Sequence, residues 1–275
     1  MNNQVDISQK EKCEKFAALH QQKGAFLIPN PWDAGSARLL QGLGFQAIAT
    51  TSAGLALTLG KADGEVSLEE KLSHCAALAR ITTIPVNADF ENGFADDPKT
   101  VALNVLKVAD TGIAGCSIED FSRDSQTLYA FNLAVERVQA AAEALVSLNM
   151  PFQLTARAEN LLRGVDDLDD TIKRLQAFEA AGADVLYAPG LKTLDQLQQV
   201  TSEIGKPFNV LAPFFHGVTV DEFAAAGAKR ISTGGALHWV TLSPLLDASK
   251  EMLEQGTFGW TEKMVSGKEV KQLLS

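Results

Sequence analysis

From Ala25 onward the chain alternates between short apolar runs and longer amphipathic stretches, and this alternation leaves few folds open. Ala25–Pro29 leads to a helix over Ala34–Gly42. Gln46–Thr50 leads to a Ser-Ala-Gly loop and a helix near Ser67–Arg80, where Ser67 and Glu70 form a capping box. Ile84–Asp89 precedes a helix from about Pro98 to Thr111, with Pro98 in its first turn. Gly115–Glu119 precedes Ala130–Leu148, Phe152–Arg157 precedes Asp167–Ala181, and Val185–Ala188 precedes Thr193–Ile204. Phe208–Ala212 and Arg230–Thr233 complete the strands, the second followed by a helix from about Gly235. Similar connectors, Leu-Gly-Phe (43–45), Thr-Gly-Ile (111–113) and Ala-Gly-Ala (181–183 and 226–228), put Gly just past a helix, where a left-handed cap is wanted.

Apolar strands separated by helices make a parallel sheet covered by helices. About eight such units in roughly 250 residues is the size of a closed (β/α)₈ barrel of the TIM type. An open doubly wound sheet would want a Gly-rich phosphate loop after its first strand, and Gly24-Ala-Phe-Leu-Ile-Pro29 is followed by none. Residues 7–23 read as a short amphipathic helix ahead of the barrel, with Phe16, Ala17 and Leu19 apolar. No linker or low-complexity run divides residues 1–275, so a single barrel domain is expected. The stretch after about Asp247, with a last polar helix near Lys263–Leu274, exceeds what a barrel needs and is expected to pack on a neighbouring subunit.

The formal charge of −10 argues against nucleic acid or an anionic membrane as partner. It leaves room for a small anionic substrate, because a local Arg or a bound metal can dominate the field in a cleft. Cys13, Cys75 and Cys116 are odd in number and lack CxxC spacing, which fits the cytoplasm. The opening Met-Asn-Asn-Gln-Val-Asp has no basic and no apolar region of a signal peptide, and no apolar run is long enough to span a bilayer.

In such a barrel the chemistry sits at the C-terminal ends of the strands. The ends carry Asn30, Trp32 and Asp33; then Thr51-Ser52-Ala53-Gly54; then Asp89 and Glu91; Glu119 and Asp120; Arg157 and Glu159. Tyr187 and Pro189, His216 and Ser232-Thr233-Gly234-Gly235 follow. Strand alternation aims residues i and i+2 to one side, so Asp89 and Glu91 face one place. The third, fourth and fifth strands are neighbours, which brings acids and an arginine to one mouth. Asp89, Glu91 and Glu119 are hard oxygen ligands suited to Mg²⁺ or Mn²⁺. Without a cation they would raise one another's pKa.

Other candidates have structural readings. Asp33 is expected to cap the helix after it. Asp120 should turn outward beside Glu119, and His216 lacks a partner at ligand spacing. The Ser232–Gly235 turn either cradles a phosphate or is simply tight, and Arg157 is either a substrate clamp or a counter-ion to Glu119.

At these residues the sequence resembles the isocitrate lyase / phosphoenolpyruvate mutase superfamily. The shared landmarks are Asn-Pro-Trp-Asp-Ala-Gly-Ser-Ala-Arg (30–38), Thr-Thr-Ser-Ala-Gly-Leu-Ala (50–56) and Leu-Gly-Lys-Ala-Asp-Gly-Glu-Val-Ser (59–67). They continue as Asn-Ala-Asp-Phe-Glu-Asn-Gly-Phe (87–94), Gly-Cys-Ser-Ile-Glu-Asp (115–120) and Thr-Ala-Arg-Ala-Glu (155–159). The resemblance implies a barrel that often forms a dimer or tetramer by swapping its last helix, and a Mg²⁺ that binds a 2-oxo acid. It implies that Asp89, Glu91 and Glu119 hold the ion, partly through water. Arg157 and the amides of Ser52, Ala53 and Gly54 would then hold the substrate carboxylate, with Asp63, Trp32 and Arg123 nearby. Arg157, Glu119 and Asp63 are the catalytic candidates.

The departures narrow the reaction. The acid pair is Asp-x-Glu where many members have Asp-x-Asp. The loop Asp120–Phe131 lacks the Lys-x-Cys-Gly-His run of the lyases and the Lys of the phosphonate enzymes, and Cys116 lies inside a strand. A Glu or His after the sixth strand and an Asn after the seventh are not evident at Tyr187–Pro189 or Leu211–Pro213. These absences point away from isocitrate and methylisocitrate cleavage. They favour C–C cleavage of a small 2-oxo acid through a metal-stabilised enolate, as in an oxaloacetate decarboxylase, since CO₂ needs no proton on leaving. The alternatives are P–C chemistry of the phosphonopyruvate hydrolase or phosphoenolpyruvate mutase type, and a 2-oxo acid binding protein without catalysis. The long polar loop 120–131 reads as a lid, with Arg123 its only cation.

Overall fold

A computed structural model describes residues 7–275; Met1–Asp6, on which the reading of the N-terminus rests, lie outside the described residues. Eight parallel strands form the sheet: β1 (Phe26–Ile28), β2 (Ile48–Ala49), β3 (Val86–Asp89), β4 (Gly115–Glu119), β5 (Gln153–Arg157), β6 (Val185–Tyr187), β7 (Phe208–Leu211) and β8 (Ala228–Ser232). They pair in the order β1-β8-β7-β6-β5-β4-β3-β2. The Ala49 amide donates to the Pro29 carbonyl at 3.0 Å across the remaining seam, so the barrel is nearly closed. The TIM-type barrel expected from the alternation is the fold observed.

The helices are α1 (Gln9–Gln21), α2 (Ala34–Gly42), α3 (Ser52–Thr58), α4 (Leu68–Ile81), α5 (Pro98–Ala109), α6 (Phe131–Leu145), α7 (Leu168–Ala180), α8 (Leu194–Ser202), α9 (Val220–Ala225), α10 (Ala236–Glu254) and α11 (Gly267–Leu274). All of them but α6 and α10 begin where a side chain satisfies a free amide. Capping boxes open α1 at Ser8/Glu11, α4 at Ser67/Glu70 and α9 at Thr219/Glu222. Asp33 caps α2 by accepting from the Ser36 amide at 2.7 Å, as expected.

Two segments differ from the sequence reading. Residues 52–58 form α3 rather than a loop, because the Thr51 hydroxyl caps the Gly54 amide and the Leu-Ala-Leu run that follows favours helix. The short α9 between β7 and β8 has only six residues, too few to show a periodicity.

Helix α1 lies across the N-terminal end of the barrel. Its Phe16 packs edge-on against His20 and Phe26, with ring centroids 4.7 and 6.4 Å away. Burial pulls the His20 imidazole down to about 3, so this plug is uncharged at neutral pH. At the other extreme of the chain, α11 lies on α2 of its own chain, the Arg38 guanidinium donating to the Leu274 carbonyl.

The Gly connectors behave as their sequence implies. Gly44, Gly112, Gly182 and Gly227 take φ of 95°, 90°, 104° and 89°, a region that side chains disfavour. At Gly227 a Cβ would also collide with the Thr201 side chain, whose hydroxyl donates to the Ala226 carbonyl at 2.7 Å. Gly227→Ala should lower stability by about 1–3 kcal/mol in urea unfolding, from backbone strain plus that collision. An unchanged midpoint would show that this connector tolerates a side chain.

Candidate functional site

Strand β3 runs into a turn that no ordinary backbone would make. Glu91 and Phe94 take φ of 49° and 57°, and Gly93 takes 74°. A left-handed Glu costs of the order of 1 kcal/mol, so neighbours must hold it. They do: the Glu119 amide donates to the Glu91 carbonyl at 2.8 Å, and Asn92 accepts from the Phe94 amide and donates to the Tyr129 hydroxyl. Arg137 of α6, buried beneath, donates to the carbonyls of Glu119, Asn92 and Ala95 and lies 3.9 Å over the Tyr129 ring. One side chain thus ties the exits of β3 and β4 together.

Arg157, at the end of β5, stands in the middle of the mouth. Its Nη1 lies 3.2 Å from Asp89, Nη2 lies 3.3 Å from Glu119, and Nε donates to Glu159 at 2.6 Å. Glu159 is fully buried and also receives Arg163 at 3.1 Å, which in turn reaches Glu119 at 3.7 Å. Arg157 is therefore a counter-ion to three carboxylates at once, and Glu119 is only one of them. Burial opposes its charge, but Glu159, Glu119 and Asp89 together hold it firmly cationic.

The carboxylates differ sharply in their electrostatics. Burial pushes Asp89 up, yet Arg157, Lys71 and hydrogen bonds from Ser52 more than offset it and hold the group below its ordinary value. Burial pushes Glu91 up to about 7 despite Lys71 and Arg123, with Asp89 and Asp63 adding to the rise. Burial also drives Glu119 well up; Arg157 opposes this, while Glu159 and Asp89 reinforce it. The mouth therefore holds both an ionised acid and proton-retaining ones.

Lys71 was not among the sequence candidates. It is completely buried on α4, its Nζ has no hydrogen-bond partner among the described residues, and its field reaches Asp89 and Glu91. Its signal was available: Lys71, Cys75, Leu78 and Ala79 make the i, i+4, i+7 stripe of α4 that faces the barrel.

The 120–131 segment is folded rather than open. Phe121 and Leu128 bridge antiparallel, Ser122 donates from its amide to Thr127 at 2.8 Å, and the Tyr129 amide closes back on the Asp120 carbonyl. Arg123 reaches from this hairpin to Glu91 at 3.1 Å, grips the carbonyls of Gly64 and Val66, and covers the Phe94 ring at 4.8 Å. The hairpin and the 59–67 loop are thereby clasped over the acids. Asp63 stands exposed on that second loop.

On the opposite side, the Ser52 amide at the start of α3 donates to Asp89 at 3.0 Å, which brings Ser52, Ala53 and Gly54 to the mouth. Trp32 stacks on His238 with centroids 4.6 Å apart, and Gly54 nestles against both. Asp120 does turn away from the mouth but not into solvent. It is buried, accepts from the Glu159 amide at 2.8 Å and pairs with Arg174 of α7 at 2.9 Å, so it locks the exit of β5 to that helix. The amides of Thr233 and Gly234 both donate to Asn30 Oδ1 at 2.9 Å, so the 232–235 turn is a closed junction between β8 and β1. Their amides are not free for a phosphate. His216 is exposed on its loop.

The structure thus gathers Asp89, Glu91, Glu119, Arg157 and Arg123, with Ser52 joined through its amide. Among the described residues, no three His, Cys, Asp or Glu side chains converge as a preformed metal cluster. The acids are instead drawn onto arginines.

Comparison with known proteins places this geometry in a family. The family model described as phosphoenolpyruvate phosphomutase matches residues 16–253. An uncharacterised protein of Mycobacterium tuberculosis is 32% identical over 223 residues, 80% of this chain and 81% of the relative. The oxaloacetate decarboxylase of Ectopseudomonas mendocina is 27% identical over 254 residues, 89% of this chain and 85% of that enzyme. A crystal structure of a provisionally named lyase/mutase from Burkholderia cenocepacia J2315 superposes with a TM-score of 0.93 at 47% identity, over 97% of this chain and 96% of that one. With the barrel, the acid-bearing strand ends and these matches together, the chain belongs to the phosphoenolpyruvate phosphomutase family, within the PEP mutase / isocitrate lyase superfamily of lyases and mutases.

Proposed function

We propose that this chain is a Mg²⁺- or Mn²⁺-dependent carbon–carbon lyase that decarboxylates a small 2-oxo acid of the oxaloacetate kind. The observation that carries the reading is the mouth itself. One guanidinium, Arg157, lies between Asp89 and Glu119, beneath a hairpin lid whose 120–131 sequence contains no Cys, Lys or His. The oxaloacetate decarboxylase relatives support the same choice.

The residues fit a divalent cation. Asp89, Glu91 and Glu119 offer only hard oxygens, and Glu91 Oε1 is buried with no hydrogen-bond partner, an orphan that a cation or its water would satisfy. Asp89 would hold the ion most directly, with Glu91 and Glu119 reached partly through water. When bound, the ion supplies Lewis-acid attraction for the substrate's carboxylate and ketone oxygens.

The chain's own residues do the rest. Arg157 presents a planar fork to the incoming carboxylate, a match that Lys cannot copy. The first turn of α3, Ser52-Ala53-Gly54, would bring the Ala53 amide and the positive end of its dipole to the same place, the Ser52 amide serving Asp89 and the Gly54 amide the Thr51 hydroxyl. The lid, pinned by Arg123, keeps bulk solvent out and strengthens every charge contact beneath it. In decarboxylation the C3–C4 bond breaks, its electron pair moves toward the ketone, CO₂ leaves, and C3 takes a proton from water. No lid acid is required, which suits a lid that has none. Asp63 and Trp32 flank the mouth as contacts that select the substrate.

We also assign the apolar surface of α10 and the segment after it to a second copy of the chain. Trp239, Val240, Leu245, Leu246 and Leu253 are exposed along one helix, Leu253 at 87%. Such a face on a soluble chain marks an interface. Light scattering should give a dimer or tetramer, and a monomer mass at micromolar concentration would contradict the assignment.

Turnover of oxaloacetate, phosphonopyruvate and 2-methylisocitrate, each with and without Mg²⁺, tests the reaction. Metal-dependent release of CO₂ from oxaloacetate is expected, reduced at least about 100-fold in Asp89→Ala. Phosphate release from phosphonopyruvate would replace C–C by P–C chemistry, and no turnover of any substrate would leave a binding protein.

A further inference from the structure

Below Arg157 the barrel interior contains a second buried arginine that the reaction does not use. Arg230 projects from β8 and is 3% exposed. Its Nε donates to Asn209 Oδ1 at 2.8 Å and its Nη2 to Thr155 Oγ1 at 3.0 Å. Its Nη1 is buried and has no partner, and the residue makes no ion pair among the described residues. The neighbours are neutral: Phe16 lies 6.0 Å below, His20 is an uncharged imidazole, and Tyr187 is a phenol whose proton burial secures.

A guanidinium in such a place is a physical problem. Every other strongly buried arginine of the mouth has a carboxylate or several carbonyls; Arg230 has an amide oxygen and a hydroxyl. Uncompensated charge in a low-dielectric interior costs several kcal/mol. Burial accordingly pulls its pKa down to about 9, still well above neutrality, so the charge is present at pH 7.

Beside Arg230 is a cavity of about 50 Å³, bordered by Asn87, Ser117, Tyr187, Asn209 and Ser232, with Asp89 and Arg157 toward the mouth. That volume holds a few water-sized bodies. Water could accept from Nη1 but could not neutralise it. Asp89 cannot serve, being committed to Arg157 and the Ser52 amide.

We propose that this cavity is a binding site for a small inorganic anion of halide size, held by the unpartnered Nη1 of Arg230. The anion is the missing counter-charge of the barrel interior. It enters from the mouth, where the cavity borders Arg157, and it stabilises the fold whatever the natural substrate.

The test uses the intact chain. In crystals grown from sodium bromide, an anomalous bromide peak should stand beside Arg230 Nη1. In solution, thermal unfolding in chloride or bromide should exceed that in gluconate at equal ionic strength by about 3–6 °C, saturating with halide. Arg230→Met should abolish the difference between halide and gluconate. If that variant does not fold, Thr155→Val, which removes one of the guanidinium's supports, should raise the halide concentration needed for half the effect several-fold. A bromide crystal with no peak at Arg230 would overturn the proposal, as would a halide effect that survives intact in Arg230→Met.

Discussion

The mouth of this barrel depends on one ionic arrangement, Arg157 caged by Asp89, Glu119 and Glu159. Three carboxylates so close together repel one another, and a single guanidinium between them offsets part of that repulsion in a buried place. Each comes from a different part of the frame: Asp89 from β3, Glu119 from β4, and Glu159 from just past β5. The barrel's register, with Asp89 opposite Ser117 and Glu119 opposite Arg157, is what makes the cage possible. A slip of one residue in either pair would turn the acids into the helix layer.

Around the cage the structure spends stability on placement. Glu91 is held in a left-handed turn with an orphaned carboxylate oxygen, Lys71 is buried without a hydrogen bond, and Arg137 is dedicated to clamping carbonyls. Neither the left-handed Glu91 nor the buried Lys71 helps the barrel close. Strain and unsatisfied polar atoms gathered at one mouth are what a site awaiting a charged ligand looks like, and they support the proposed reading. The clasp of Arg123 across Glu91 and the 59–67 loop supports a lid that covers charge rather than one that delivers a proton.

Much of this was legible in the sequence because barrels write themselves locally. Most strand ends are marked by a polar residue, and four of the returns by Gly44, Gly112, Gly182 or Gly227 in a conformation that glycine prefers. The acids and Arg157 were visible for the same reason: they sit at strand ends, where the fold assigns chemistry. Arg163, Arg174 and Arg230 were not, since a turn, a helix and a mid-strand position carry no such label, and Lys71 was marked only by its place on the buried stripe of α4. Their partners lie far away in sequence, as Arg174 does from Asp120 and Arg230 from Thr155. Helix α3 was hidden by its small residues, which read as a loop until Thr51 is seen capping them.

The central claim of the proposed reading is that Arg157, here the counter-ion to the acids, would be free to face substrate if Asp89 and its neighbours held a divalent cation. Oxalate is the simplest probe, a small dianion that needs both a guanidinium and a metal. Calorimetric titration of oxalate into chelator-treated protein, then into protein saturated with Mn²⁺, tests the claim directly. The account predicts that Mn²⁺ tightens oxalate binding roughly 100-fold, about 2.7 kcal/mol, and that Asp89→Ala removes the gain. Equal affinity with and without the metal would contradict it, because Arg157 would then be free to bind an anion while still caged.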